Sequence, residues 1–536
     1  MLHGNEAFRS VPNKDSHLVR LLQLNLLLTT IFVAQFLNGY DSSLISGFQS
    51  MPSWPLKVPA GHKQSSSNIG LLNAAGYLTG MFTAPFAAYI ADRWGRKWCI
   101  RYSSLANLIG TALGCIAGAG GVNGYAVFMV SRIIIGSGLT FAVMCSPIML
   151  QELPHPKHRT ILAGAFDIAF IGGNFVASWV LFGCGHLKNN WAWRVPYLIH
   201  IPFALIMIVL ITFVPESPRW LIRKGREDEA KLFFIKYHSN GVEDEFVHFE
   251  LDEVHDALRV ELETKQDTWS VILSSRNSLH RLACAVLIAV CQNLSGTAII
   301  AYCKSATVLG LVGITDTVTV TGINAGLTTF TCGAALLGLY LTQVINRRPQ
   351  LFGTWIAVLL ANIGLISATA MYEKTGSSRA GIAAVAMVWL YNGSFFISCG
   401  SIFFSYPAEV LHYSMRSKGM MVWTLTAKSL SVFSAYTNPV AMEAIGWKWY
   451  LFYTAILIVT GVLMYFVLVE TRGYTLEEYV ARCTWLNVDG PNLRACRISE
   501  AFGGKPFQAS ALSYKDRKDG VSTDVKAIDE ESSIGK

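Results

Sequence analysis

The sequence predicts an all-α membrane protein, with twelve transmembrane helices in two six-helix halves joined by a charged helical linker. Three observations predict it. Of 536 residues, 52% are hydrophobic and only 15% charged, and the mean hydropathy is +0.39, too apolar for a soluble chain of this length. The apolar runs reach about 20 residues or more, enough to cross a hydrocarbon core of roughly 30 Å as helices. Acidic and basic residues recur at matched spacing in the two halves.

In chain order the spans fall at 24–48, 69–90, 98–118, 125–149, 161–182, 195–214, 282–308, 318–345, 351–371, 380–406, 420–442 and 449–469. Gly70, Gly76 and Gly80 punctuate the second, as suits helices that approach backbone to backbone in lipid. A polar tail, 1–23, precedes the first bundle, 24–214; a linker, 215–281, leads to the second bundle, 282–469; a tail, 470–536, follows. That tail is rich in Lys, Asp, Ser and Gly without apolar periodicity, and is expected to be disordered after about residue 480. In the linker, Val247, Leu251, Val254, Leu258 and Leu262 recur at three- and four-residue steps among charges. This is the pattern of an amphipathic helix placed to brace the halves.

Charge sets the orientation. Arg93, Arg96, Lys97 and Arg101 follow span 2, Lys157 and Arg159 span 4, Arg347 and Arg348 span 8, and Arg416 and Lys418 span 10. Positive connections stay in the cytoplasm, so both termini are expected inside. The net charge of +8 reads as topology control, with no nucleic-acid partner. The eleven cysteines contain no CxxC pair and read as small apolar packing residues, with neither a disulfide framework nor a metal site. Residues 1–20 lack a cleavable leader pattern, so span 1 serves as the targeting signal. The sequons at Asn293 and Asn392 fall inside spans and should stay unglycosylated.

Glu152 stands seven residues before Arg159 after span 4, and Glu409 seven before Arg416 after span 10, both pairs displaced by 257 residues. Glu216 with Arg219 after span 6 is echoed by Glu470 with Arg472 after span 12. Repeated halves of this kind imply two bundles facing each other, with the substrate site between them near the bilayer midplane. Each exposed ion pair contributes less than about 1 kcal/mol. A network of Asp92, Arg93, Arg96 and these residues can still bias which face is open. Helix-end capping and topology charge are the simpler reading of the same residues.

Several signatures occur together. They are Asp92-Arg93-Trp94-Gly95-Arg96-Lys97 after span 2, Arg132 with Gly136 and Gly138 in span 4, Pro215-Glu216-Ser217-Pro218-Arg219-Trp220 after span 6, and Glu470-Thr471-Arg472-Gly473 after span 12. With Gln292-Asn293-Leu294-Ser295-Gly296 in span 7 and Tyr406-Pro407-Ala408-Glu409 after span 10, the chain resembles the sugar-porter family of the major facilitator superfamily. Within it, the chain is most similar to fungal lactose-permease and hexose-transporter types. The resemblance implies the major facilitator fold and a proton-coupled carrier of a sugar or polyol, working as a monomer in the plasma membrane. The chain departs from the family pattern at Asn293, Ala298, Phe404 and Asp167, and the loop after span 8 is eroded to Gln343-Val344-Ile345-Asn346-Arg347-Arg348. These departures bear on cargo more than on fold.

Asp41 lies in apolar span 1 and Arg132 in span 4. A charge at that depth costs at least about 2.5 kcal/mol unless partnered, and the resemblance pairs these two positions and makes the carboxylate the proton site. A fixed ion pair in a facilitator is the other reading. Candidate substrate contacts are Gln292, Asn293 and Asn324 as hydrogen-bonding groups, Tyr302, Trp389, Phe404 and Trp423 as stacking faces, and the charges Asp167 and Lys428. No metal-ligand cluster, Walker-type loop or enzyme motif is found, so no cofactor is expected and a gradient is the expected driving force. Two other functions keep the fold: carriage of a non-sugar natural product, suggested by Ala298, Asp167, Phe404 and Lys428, and nutrient sensing without transport.

Overall fold

The computed structural model describes residues 14–49, 51, 53–54, 66–118, 123–155, 159–239, 241–245, 247–252, 254–255, 273, 276–297, 299, 316–403, 405–411, 416–468 and 470. Residues 1–481 form one compact unit, and the second unit, 482–536, lies outside the described residues, as does the tail expected to be disordered. Among the described residues every regular element is helical.

The first half holds α1 (Lys14–Phe48), α2 (Ser66–Trp94), α3 (Arg96–Ile116), α4 (Gly124–Glu152), α5 (Arg159–Gly185) and α6 (Trp191–Phe213), which carry spans 1 to 6. The linker holds α7 (Pro218–Arg223) and α8 (Glu227–Tyr237). The second half follows with α9 (Arg276–Asn293), α10 (Thr317–Val344), α11 (Arg347–Thr375), α12 (Ser378–Ile402), α13 (Ser405–Val410), α14 (Arg416–Ile445) and α15 (Trp449–Val467). Spans 7, 8 and 9 are α9, α10 and α11, span 10 is α12 with α13, and spans 11 and 12 are α14 and α15. The bundle is the twelve-helix major facilitator fold, two six-helix halves with a helical linker.

Two spans differ from the uninterrupted helices that the sequence predicts. Span 7 is helical only to Asn293 and breaks at Leu294–Gly296, where Gly296 takes φ +94°, a backbone conformation that side chains disfavour. Span 10 stops at Ile402 and restarts at Ser405. Irregular backbone at membrane depth is tolerated only where it is buried in protein or lines a cavity. The span 7 break is held by the Tyr391 hydroxyl of span 10, which donates to the Ser295 carbonyl.

Glycines set how closely the helices approach. A Cβ at Gly39 would lie 1.9 Å from the Phe170 carbonyl oxygen, and one at Gly173 would lie 2.0 Å from that of Phe36, so spans 1 and 5 touch through bare backbone. Gly76 and Gly136 do the same for spans 2 and 4, with a Cβ at Gly136 2.3 Å from the Gly76 oxygen. Without water in the bilayer, span hydroxyls bond back into their own helices, as Thr79 Oγ1 does to the Ala75 carbonyl at 2.9 Å.

Each half starts its third helix on a carboxylate. Glu216 accepts from the backbone N–H of Arg96 at 3.1 Å and of Lys97 at 3.2 Å. Glu470 accepts from those of Arg347 at 3.1 Å and Arg348 at 2.9 Å. The helix N-terminus leaves these donors unpaired and favours negative charge. Gly95, at φ +100°, admits Glu216, whose oxygen lies 2.3 Å from where a Cβ would be. Lys97 Nζ then donates to the Thr212 carbonyl at 2.8 Å and Arg348 Nη2 to the Tyr465 carbonyl at 2.6 Å. The sequence repeat is thus a repeated contact.

The linker packs on the first half. Val247 and Val254 are buried in one cluster with Phe233, Phe234, Leu28 and Leu153, and Leu251 packs against it, while Leu258 and Leu262 lie outside the described residues. His238 pins this arrangement: Nδ1 is 2.6 Å from Glu250 Oε2, and Nε2 donates to the Leu153 carbonyl at 3.2 Å. Both side chains are buried. Removing one partner of such a buried pair costs about 3–5 kcal/mol. We therefore expect Glu250→Ala to lower the Tm of the purified chain clearly, and His238→Leu with Glu250→Leu to recover part of the loss. Equal Tm for Glu250→Ala and wild type would show that the pair bears no load.

Candidate functional site

Span 1 brings Asp41 to Arg132 of span 4. Arg132 Nη1 donates to Asp41 Oδ1 at 2.7 Å and to Oδ2 at 2.9 Å, and the side chains are 7% and 2% exposed. The pair lies against span 2, where a Cβ at Gly76 would stand 3.6 Å from Arg132 Nη2, an ordinary contact. Such a pair is held by mutual attraction against a large desolvation penalty, so changing the charge of either partner releases the other. Tyr197 and His200 of span 6 lie within electrostatic reach of it. His200 Nδ1 is 2.8 Å from Thr111 Oγ1 of span 3, and the Tyr40 hydroxyl donates to the Pro196 carbonyl at 2.9 Å. Beside the pair, Ser42 Oγ donates to Asn174 Oδ1 of span 5 at 3.1 Å, as does Ser43 Oγ.

In the second half, Gln292 sits in the last helical turn before the span 7 break, its Oε1 buried without a hydrogen-bond partner among the described residues. A buried acceptor in that state costs free energy until something donates to it. Asn293 is committed elsewhere: its Nδ2 donates to the Ala289 carbonyl at 2.9 Å, and its Oδ1 accepts from Ser431 Oγ of span 11 at 2.6 Å. It joins spans 7 and 11. The Trp389 ring stacks on Phe330 of span 8, with centroids 6.0 Å apart, and presses on Gly326, while Nε1 is buried without a partner among the described residues. Asn324 is half-buried on span 8.

Lys428 crosses between the halves. Its stem runs along Gly80 of span 2, and Nζ stands 5.5 Å over the Tyr77 ring. Asp167 lies on α5, but its side chain is outside the described residues, as are Tyr302 and Phe404 altogether. The other contacts between halves include Gly185 against Thr321, Phe182 against Gly322, and Trp179 Nε1 donating to Thr329 Oγ1 at 3.1 Å. Gly70 against Tyr436 lies with them. Among the described residues they gather toward the end of the bundle where span 5 finishes and span 8 begins.

At the opposite end, the following contacts of predicted gating residues, among the described residues, run within the first half and its linker. Arg96 lies 3.7 Å from Glu152, which also accepts from Ser217 Oγ. Asp92 lies 3.6 Å from Arg223, and Arg93 donates to the Tyr89 hydroxyl at 2.6 Å. Burial pushes up the Glu216 carboxyl against the opposing pull of the N–H groups that donate to it. Arg219 is half-buried on α7. The side chains of Arg159, Glu409 and Arg416, and all of Arg472, lie outside the described residues.

The sequence profile described as "Sugar (and other) transporter" matches residues 27–482. The chain belongs to the sugar transporter family. This transporter is 24% identical over 496 residues to the high-affinity hexose transporter HXT6 of Saccharomyces cerevisiae, covering 90% of this chain and 85% of that one. It is 24% identical over 425 residues to the high-affinity glucose transporter of Kluyveromyces lactis, covering 76% and 75%. Among solved structures, the xylose transporter XylE from E. coli in a partially occluded inward-open conformation superposes with a TM-score of 0.69 at 20% identity, covering 84% of this chain and 98% of that one.

The packing around the Asp41–Arg132 pair includes residues that the sequence reading passed over. His200 is an ionisable group inside span 6, and the rule that singled out Asp41 would also have singled it out. Asn174 and Thr111 carry no charge and sit among many span hydroxyls and amides, so only the packing reveals them. Trp423, taken as a stacking candidate, instead packs with Ala285, Ala289 and Leu411 in the core.

Proposed function

We propose that this transporter carries a sugar or polyol into the cell together with a proton, by alternating access of its two halves. The buried Asp41–Arg132 pair carries the reading. Protonating Asp41 removes the charge that holds Arg132, so proton occupancy and the packing of spans 1 and 4 are linked. The named relatives are hexose and glucose transporters, and one structural neighbour is described as a proton:xylose symporter. That kinship favours a sugar over a non-sugar natural product or a sensing role. The chain works as a monomer, without resident cofactor, in the plasma membrane, its termini and linker in the cytoplasm, with the bundles at 24–214 and 282–469. The end at which those contacts between the halves gather then faces outside.

The broken seventh span presents Gln292 Oε1 to the substrate as an acceptor for a hydroxyl, and Asn324 and Trp389 contribute from spans 8 and 10. Asp167, Tyr302, Phe404 and Lys428 complete the proposed lining. Asp92, Arg93, Arg96, Glu152, Arg159, Glu216, Arg219, Glu409, Arg416, Glu470 and Arg472 form the inner gate, where contacts within each half hold the helix ends that part.

The test is uptake into proteoliposomes under an inward proton gradient, with glucose, xylose, galactose, lactose and a polyol. Accumulation of one of these above equilibrium supports the proposal, and the absence of flux for all of them from well-folded protein overturns it. For the transported sugar, Gln292→Ala should raise KM about tenfold with kcat nearly unchanged, the loss of one hydrogen bond made equally in ground and transition states. An unchanged KM would remove Gln292 from the site.

A further inference from the structure

A cavity of about 530 Å³ lies between the start of span 3 and linker helix α8. Its lining mixes cations with aromatic rings: Lys97 and Arg101 from α3, Lys236 from α8, and Trp94, Trp98 and Phe233. The two carboxylates that line it are already engaged. Glu216 caps α3, and Glu229 is gripped by Arg226 through two bonds of 2.7 Å. Lys97, Arg101 and Lys236 form no ion pair among the described residues. Lys97 and Arg101 are one helical turn apart, a spacing at which like charges repel, so an anion between them relieves a standing repulsion.

The surface next to the cavity says which anion. Trp94 and Trp98 are half-exposed with ring centroids 6.0 Å apart, as aromatic side chains stand at the boundary between headgroups and hydrocarbon. From Trp98 an exposed apolar lane continues along α3 through Tyr102, Leu105 and Ile109, on one face by helical spacing. A cationic hollow at the head of an apolar lane matches an amphiphile with a negative head and acyl chains. Free phosphate would use only the hollow.

We propose that this groove is a binding site for the headgroup of an anionic phospholipid, held by Lys97, Arg101 and Lys236, with its chains along α3. Such a lipid ties the linker to the first half and stabilises the folded chain by mass action. It goes beyond the transport reading and does not depend on it.

The test uses the purified full chain in nonionic detergent, following Tm against dioctanoyl phosphatidylserine, dioctanoyl phosphatidylcholine and inorganic phosphate. Phosphatidylserine should raise Tm in a saturable way while the other two leave it unchanged. Replacing Lys97, Arg101 and Lys236 together by Gln should weaken phosphatidylserine binding by about 150-fold, at about 1 kcal/mol for each cation. Lys448→Gln, at the other end of the bundle, should change nothing. Should the triple variant not fold, Lys236→Gln alone, on the linker surface, should weaken binding about fivefold. Equal stabilisation by phosphatidylcholine, equal stabilisation by phosphate, or unaltered binding in the variants would each overturn the site.

Discussion

Asp41→Asn is expected to abolish uphill accumulation of sugar while leaving exchange of sugar across the membrane measurable. A one-unit pH gradient supplies about 1.4 kcal/mol per proton, enough for about tenfold accumulation at one proton per sugar. The variant should stay at a ratio of one. Asn keeps an oxygen to accept from Arg132 Nη1, which now bonds both carboxylate oxygens, but it removes the charge. It therefore separates coupling from packing. Arg132 is then buried opposite a neutral group, and breaking a buried pair costs about 3–5 kcal/mol, so Tm should fall as well. Adding Arg132→Met should restore Tm without restoring accumulation, because it removes the stranded charge and not the coupling defect. If the variant accumulates sugar like wild type, Asp41 is not the coupling group and His200, within reach of the same pair, becomes the next candidate. If wild type itself only equilibrates sugar, the pair is a fixed strut of a facilitator.

How far the sequence could be read depends on what each residue's neighbours demand. Asp41 and Arg132 were legible because lipid leaves an intramembrane charge few options, and one obvious partner was available. The twelve spans were legible because a chain crosses lipid as apolar helices of about 20 residues. Glu216 and Glu470 were recognised from their spacing, yet their work was not. Spacing suggests partners among side chains, whereas both carboxylates grip the backbone at the start of the third helix of their half. Gln292 and Asn293 are adjacent and similar, and both read from the sequence as hydrogen-bonding contacts, Asn293 as a departure from the family pattern. The broken helix points one into an unpartnered position and commits the other to Ser431. The break itself was hidden because Leu294, Ser295 and Gly296 fit the hydropathy of a membrane helix, and only φ at Gly296 reveals the interruption.

Gly173→Ala is expected to remove most of the folded transporter, although it adds a single methyl group. The Cβ would sit 2.0 Å from the Phe36 carbonyl oxygen and 2.8 Å from the Tyr40 nitrogen, both backbone atoms of span 1. No rotamer change can clear them. Span 1 must move away from span 5, and as it moves it carries Asp41 from Arg132 and breaks the contacts of Ser42 and Ser43 with Asn174. Overpacking where a side chain can yield costs about 1–3 kcal/mol; with only backbone to displace, the cost should exceed that range. Gly183 on the same helix is the control, since among the described residues nothing lies within 4 Å of its would-be Cβ. There Ala gains up to about 1 kcal/mol in helix propensity and meets no clash. Monodispersity and Tm of the two variants, purified side by side, decide the matter. Loss of folded protein for Gly173→Ala with wild-type behaviour for Gly183→Ala places the effect in the contact between spans 1 and 5. Equal behaviour of the two would mean that this crossing is looser than the backbone distances imply, and that the ion pair is not held in place by it.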